Sequence, residues 1–393
     1  MQALALQRVS PDRQQFGRYR LLCHIASGGM AGIYLARRAD DPFGKILVIK
    51  RIHDHMAEEA AFCRMLVDEA RLSARLCHPS VVQVIELGSV HGTLFIAMEH
   101  VEGESLQALV RRVRLSYAHC ARVAALAAAG LHHAHELRDS EGRPLEVVHR
   151  DVSPQNILIS YEGEVKVADF GVAKARNNLQ QTEPYMVKGN FAYMAPEQAT
   201  ARKVDRRTDV FALGIVLYEI STHRRLFRAA NPAATVERLL HMQIPPPTRL
   251  MGDYPPRLEQ IVMTALQGDP RRRFQSAGEM EDALSELVFA SKDDELSPRA
   301  SARSLARVMK RVFADRIALK QKLLQLGEEG GDVVTDTTRL TASSPSLGTL
   351  DGTVLERPPR AKPRRRGRRC LLLGAVAAAA ALLALLLVSL GSG

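Results

Sequence analysis

His149-Arg150-Asp151-Val152-Ser153-Pro154-Gln155-Asn156, followed by Asp169-Phe170-Gly171, decides how this chain is read. The two pieces place a carboxylate, an amide and a second carboxylate just past or between short β-branched runs. A hydroxyl that is to receive a phosphoryl group needs a base to orient it, and magnesium held against phosphates needs hard oxygen ligands. Asp151 is the candidate base; Asn156 and Asp169 are the candidate metal ligands. An isolated His-Arg-Asp would carry little weight, because three polar residues in a loop usually form only a turn. The spacing to Asn156, with Val165-Lys166-Val167-Ala168 leading into Asp169, is far more specific, since strand and loop then fall where the chemistry needs them.

On these residues the segment resembles the catalytic and metal-binding loops of the eukaryotic-like protein kinases, in particular the bacterial serine/threonine kinases. The resemblance covers about Gly17 to Val288. It implies an α+β, two-lobed protein kinase fold, with a small β-rich N-terminal lobe, a larger helical C-terminal lobe and ATP with Mg²⁺ between them. The last hundred or so residues lie outside it and are read on their own.

The 393 residues allow two or three domains, and a hydrophobic content of 46% supports a large core. Five cysteines are scattered without CxxC spacing, so they read as free thiols rather than a disulfide or zinc framework. The net charge of +11 raises the question of nucleic acid, but eight Lys or Arg residues fall between Arg357 and Arg369. A local basic stretch of that kind fits a membrane surface better, and no nucleic-acid partner is expected. Met1 to Gln15 lacks a basic region followed by an apolar core, so no signal peptide is expected.

In the N-terminal part, Tyr19 to Ile25 and Gly32 to Arg37 alternate as two strands. Between them lies Ser27-Gly28-Gly29-Met30-Ala31-Gly32, a glycine-rich hairpin whose backbone can approach phosphates. Alone, such a stretch is more often a plain turn. Against the kinase pattern GxGxxGxV, Ala26 and Ala31 stand at the outer glycine positions, Gly28 keeps the central one and Ile33 takes the valine position. Ala26 to Ile33 is the expected phosphate-covering segment. Ile46-Leu47-Val48-Ile49 ends in Lys50, a strand-end lysine that would often be a solvent-facing cap. The resemblance makes Lys50 the residue that holds the α and β phosphates, paired with Glu69 on the following helix. Val81 to Leu87 and Thr93 to Met98 read as further strands. By the same resemblance Met98 guards the back of the adenine pocket, Glu99 to Val101 form the hinge, and Glu104 reaches the ribose.

Ser116 to Glu136 is an Ala-rich buried helix containing His132, His133 and His135. No acidic or Cys partner lies at ligand spacing, so packing is the reading adopted over a metal site. Ser153 stands where the serine/threonine class carries a lysine, and the loss of such a donor can cost on the order of 10²–10³ in rate. Ser153-Pro154 nonetheless departs from the tyrosine-class loop. Thr182 is the only Ser or Thr between Gly171 and Tyr193. The resemblance makes it the phosphorylation switch, its phosphate held by Arg150 through charge-assisted bonds. Asn190 replaces a residue that is often Thr in the family. Asp209 is expected to anchor the catalytic loop, and Arg273 to pair with buried Glu197.

The expected organisation is an N-terminal extension over 1–16, a kinase domain over 17–288 and an amphipathic extension over 289–326. A disordered basic linker over 327–369, a transmembrane helix over 370–390 and an external tail over 391–393 follow. In the extension, one helix from about Pro298 to Leu326 is expected, with Lys320 breaking its apolar stripe once. The linker spans about 35–40 Å. Leu371 to Leu390 is uncharged and long enough to cross a hydrocarbon core of about 30 Å. The arginine cluster before it should stay cytoplasmic. The expectation is therefore a single-pass, C-terminally anchored protein of the inner membrane, with the kinase facing the cytoplasm and no external sensor domain. Gly374 and Ala378 offer a small-residue face for a homodimer. The function expected is transfer of the ATP γ-phosphate to protein Ser or Thr, with autophosphorylation. The alternative is a membrane-anchored pseudokinase scaffold that binds nucleotide and partners without turnover, which the Ala26, Ala31, Ser153 and Asn190 departures motivate.

Overall fold

The computed structural model describes residues 7–10, 14–41, 44–57, 60–170, 191–290 and 301–328. Short strands β1 (Gln7–Arg8) and β2 (Gln15–Phe16) lead into β3 (Tyr19–Ser27), β4 (Ala31–Arg38) and β5 (Leu47–Ile52). Helix α1 (Ala60–Ala74) precedes β6 (Val84–Val90) and β7 (Thr93–Glu99). These strands form one antiparallel sheet in the order β1-β3-β4-β5-β7-β6, with β2 on β3. One face buries Tyr19, Leu21, Ile49 and Ala97, with Phe16 edge-on to Phe95 at 5.4 Å. The opposite face buries Ile52 and Ile96 against Leu66 and Ala70 of α1.

Below the sheet, β8 (Gly103–Ser105), β9 (Ile157–Ser160) and β10 (Val165–Val167) make a second, three-stranded antiparallel sheet. Gly103 is required there, because a Cβ would lie 2.0 Å from the Ile159 carbonyl oxygen. Helices α2 (Leu106–Val110), α3 (Tyr117–His135), α4 (Arg207–Thr222), α5 (Pro232–His241), α6 (Pro256–Ala265) and α7 (Ala277–Ala290) build the larger lobe. Ser116 caps α3, its hydroxyl accepting from the His119 N–H. The alanines of α3 are mostly buried, and small side chains let neighbouring helices approach closely. Helix α4 is buried on nearly all sides and its middle, Val210 to Leu217, is uniformly apolar, as expected for a core helix.

The extension corrects one expectation: there are two helices, not one. Helix α8 (Ala302–Val312) and helix α9 (Ala314–Glu328) are separated at Phe313, which leaves helical geometry at φ −119°, ψ 23°. Tertiary packing imposes the break. Leu305, Met309 and Phe313 sink fully into the larger lobe, and Phe313 lies under the Arg112 guanidinium at 4.8 Å. Among the described residues no helix is long and apolar enough to cross a membrane, and Leu371 to Leu390 lies outside them.

Candidate active site

The catalytic segment hangs from a buried carboxylate. Asp209, at the start of α4, accepts from the His149 N–H at 2.7 Å, the Arg150 N–H at 2.8 Å and His135 Nε2 at 2.8 Å. Burial alone would raise its pKa, but the bond and charge of His135, with the His149 contacts, hold it below the ordinary carboxylate value. The histidine with a site-building role is thus His135, as a donor to Asp209. His133 stacks on His78 at 5.1 Å, and the described residues contain no group of three or more His, Cys, Asp or Glu able to hold a metal.

His149 fixes the next layer. Its Nδ1 accepts from the Asp151 N–H at 3.2 Å and its Nε2 faces the Ala168 carbonyl at 3.1 Å, which assigns the proton to Nε2. The ring therefore ties the loop of Asp151 to the strand end that carries Asp169, and it packs on Phe170 at 4.6 Å. Arg150 and Asp169 both sit at positive φ, 63° and 57°. Non-glycine residues adopt that region at a cost, and these bonds hold them there.

Asp151 and Asn156 come together: Asn156 Nδ2 donates to the Asp151 backbone oxygen at 2.9 Å and to its Oδ2 at 3.1 Å. That orientation leaves the amide oxygen of Asn156 as the acceptor turned to other partners. Across the cleft, Lys50 Nζ meets Asp169 Oδ1 at 2.8 Å. Ile33, in β4, pairs with Lys50, in β5, so the glycine-rich hairpin and the lysine belong to one ladder. Glu69 lies on α1, but its side chain is outside the described residues, as are Thr182 and Asn190. Ser153 is buried at 2% exposure and puts no cation at its position.

The roof is a tight hairpin closed by the Gly28 N–H to the Ala31 carbonyl at 2.8 Å, with His53 Nε2 at 3.1 Å from the Gly28 carbonyl. Ala26 pairs with Ile33 and Ser27 with Gly32. Ala26 and Ala31 are absent from the positive-φ residues, so alanine replaces the family's outer glycines there without backbone strain. Gly29 has open space around it and Met30 is exposed.

At the hinge, Met98 and Glu99 end β7. The Glu99 carboxylate accepts from the Gln83 N–H at 2.7 Å and from Lys166 Nζ at 2.9 Å, and its own N–H donates to the Gln83 carbonyl at 2.9 Å, so neither the carboxylate nor the N–H is directed to an adenine edge. Val101 makes no backbone hydrogen bond with the described residues. Glu104 is corrected. It is 7% exposed, and its oxygens are taken by Tyr161 Oη at 3.0 Å, Arg316 at 2.9 Å and Lys320 at 3.3 Å, not directed to a ribose.

The model of the protein kinase domain matches residues 19–288. The chain belongs to the protein kinase family. This kinase is 44% identical over 284 residues to the tyrosine-protein kinase MasK of Myxococcus xanthus, covering 71% of this chain and 44% of that protein. It is 35% identical over 281 residues to the serine/threonine-protein kinase PknA of Mycobacterium tuberculosis, covering 68% of this chain and 61% of that one. It thus spans only about half the length of these relatives. The crystal structure of the Mycobacterium tuberculosis PknI kinase domain superposes with a TM-score of 0.52 at 26% identity, over 69% of this chain and 96% of that one. The two-lobed architecture of this kinase is the family's.

Proposed function

We propose that this kinase transfers the γ-phosphate of ATP to serine or threonine of protein substrates, is held at the membrane by its C-terminal segment and autophosphorylates on Thr182. The reading is carried by the arrangement across the cleft, where Lys50 meets Asp169 and Asn156 holds Asp151. Asp151 would accept a hydrogen bond from the acceptor hydroxyl and take its proton as the phosphoryl group arrives. Lys50 would hold the α and β phosphates once nucleotide competes for it. The donor set fits Mg²⁺: Asn156 offers an amide oxygen and Asp169 a carboxylate that is 45% exposed, both hard oxygen ligands. Mg²⁺ would supply charge neutralisation of the phosphates. Ala26 to Ile33 would cover them, and Met98, Glu99 and Val101 would bound the adenine.

Two further observations support parts of this reading. Arg150 Nε is buried and without a hydrogen-bond partner among the described residues, which suits a guanidinium reserved for a phosphorylated Thr182. Leu371 to Leu390, preceded by the basic stretch, supports a membrane anchor with the kinase in the cytoplasm. A second reading, transfer to tyrosine, is favoured by the 44% identity to a protein named as a tyrosine kinase. Ser153-Pro154 supports the serine/threonine reading.

The test is to incubate the purified full chain in detergent with Mg²⁺ and γ-labelled ATP, beside Asp151→Asn, and to hydrolyse the product for phosphoamino-acid analysis. Phosphothreonine at Thr182, absent from the variant, is the expected result. Phosphotyrosine would establish the second reading. Nucleotide binding without transfer would establish the pseudokinase scaffold.

A further inference from the structure

Helix α9 leaves the larger lobe at Phe313 and runs past the outside of the hinge. Its first turns stay with the larger lobe, where Asp315 takes the Arg112 guanidinium at 3.0 Å. Its middle meets β8, just after the hinge. Arg316 pairs with Glu104 at 2.9 Å, and Lys320 Nζ donates to the Gly103 carbonyl at 2.9 Å while pairing with Glu104 at 3.3 Å. Lys320 also lies over the Tyr161 ring at 5.4 Å. Its far end reaches the smaller lobe, where Leu323 and Leu324 pack against Leu22, Cys23 and Leu35 of β3 and β4. One helix thus touches the larger lobe, β8 and the smaller lobe in order.

The chemistry of these contacts says they are more than incidental cover. Arg316, Lys320 and Glu104 have side chains only 16%, 13% and 6% exposed. Charges that far from water are tolerated when paired, and removing one leaves the others uncompensated. Lys320 is felt in the hinge and in the smaller lobe: burial with this ammonium nearby pushes His100 down to about 4. The same ammonium partly offsets the burial that drives the Cys23 thiol up to about 11. A change in the angle between the lobes would have to slide Leu323 and Leu324 off β3 and β4 or draw Lys320 off the Gly103 carbonyl.

We propose that α9 is an outer strap that fixes the hinge and the angle between the lobes, with Arg316 and Lys320 as positioning residues for nucleotide binding that act through Gly103 and Glu104. The proposal rests on the reading of residues 99–101 as the nucleotide hinge. Both residues contact β8, the strand that follows the hinge two residues on, and would act on the hinge through it.

The experiment uses the purified full chain in detergent with Mg²⁺ and a fluorescent ATP analogue, measuring Kd and the thermal midpoint for the parent, Lys320→Met, Lys320→Arg and Glu104→Gln. Lys320→Met and Glu104→Gln should weaken the analogue by about five- to tenfold, in the range of ordinary coupling between sites, and Lys320→Arg should recover the parent Kd. A Kd unchanged in Lys320→Met, with or without a lowered midpoint, overturns the strap and leaves α9 as packing alone. A Kd loss that Lys320→Arg does not recover also overturns it. A parent that binds the analogue but transfers no phosphate sinks the proposed function while leaving the Kd comparison intact. A parent that binds no analogue sinks the hinge reading and the strap with it.

Discussion

Asp209, under the floor of the cleft, and Gly29, in its roof, are held in opposite ways. Asp209 is fully buried and accepts from two backbone amides and a histidine. Gly29 has nothing within reach of a would-be Cβ. The floor also carries Glu197 clamped by Arg273 through bonds of 2.7 and 2.9 Å, while the tip of the roof at Gly29 and Met30 is open to solvent. On the proposed function the difference separates two jobs. Asp151 as the proposed base would tolerate little displacement, which suits a loop held by buried groups, whereas a segment proposed to cover phosphates would have to admit and release nucleotide, which suits a tip near solvent.

The largest effect that would break this comparison is expected at the floor. Arg273→Met leaves Glu197 buried and unpaired, which should cost about 3–5 kcal/mol of stability, read as a lowered thermal midpoint. A midpoint unchanged by that substitution would remove the distinction between floor and roof. The pH dependence sharpens it. Burial raises the Glu197 pKa, but the bonds and charge of Arg273, with Thr208, outweigh this and hold it below the ordinary 4.5. A carboxylate so depressed contributes stability fully present above about pH 4.5 and lost as pH falls through its folded value. The gap in midpoint between parent and Arg273→Met should therefore narrow below pH 4.5. A gap that is constant down to pH 3 would show that the pair is not its source.

Next comes chemistry without stability. Asp151→Asn should lower the rate of phosphate transfer by roughly 10²–10⁴ with little change in midpoint, because the base is removed while its amide replacement keeps the shape. A comparable loss of stability would mean that Asp151 belongs to the scaffold. The smallest effect belongs to the roof. Ala31→Gly restores a family glycine but adds freedom to the start of a strand, and should cost about 0.5–1 kcal/mol in unfolding by urea. A cost matching that of Arg273→Met would make the roof as rigid as the floor.

Much of this was readable from spacing. His149 to Asn156 and Asp169 announce the protein kinase family that the domain match shows, and the strands, α3 and α4 follow from alternation and apolar runs. The partner of His135 was not readable, since Asp209 lies 74 residues away and three histidines on one helix say nothing about which one turns inward. The break at Phe313 has no glycine or proline to mark it. It arises because Phe313 has a pocket in the larger lobe while the residues after it meet β8. Lys320 did leave a signal, as the one interruption of an apolar stripe. A cation on the inward face of a helix requires a buried acceptor, and Glu104 in β8 is that acceptor.

The turn at Phe313 gives the C-terminal end of the described chain a mechanical character. With its near end pinned by Arg112 and Asp315, α9 is a lever about 22 Å long, whose fulcrum is the Lys320–Gly103 contact and whose load is the smaller lobe. Under the proposed strap, a force on the far end of α9 would act first where Leu323 and Leu324 meet β3 and β4, so the position of that helix end and the opening of the cleft become one mechanical variable.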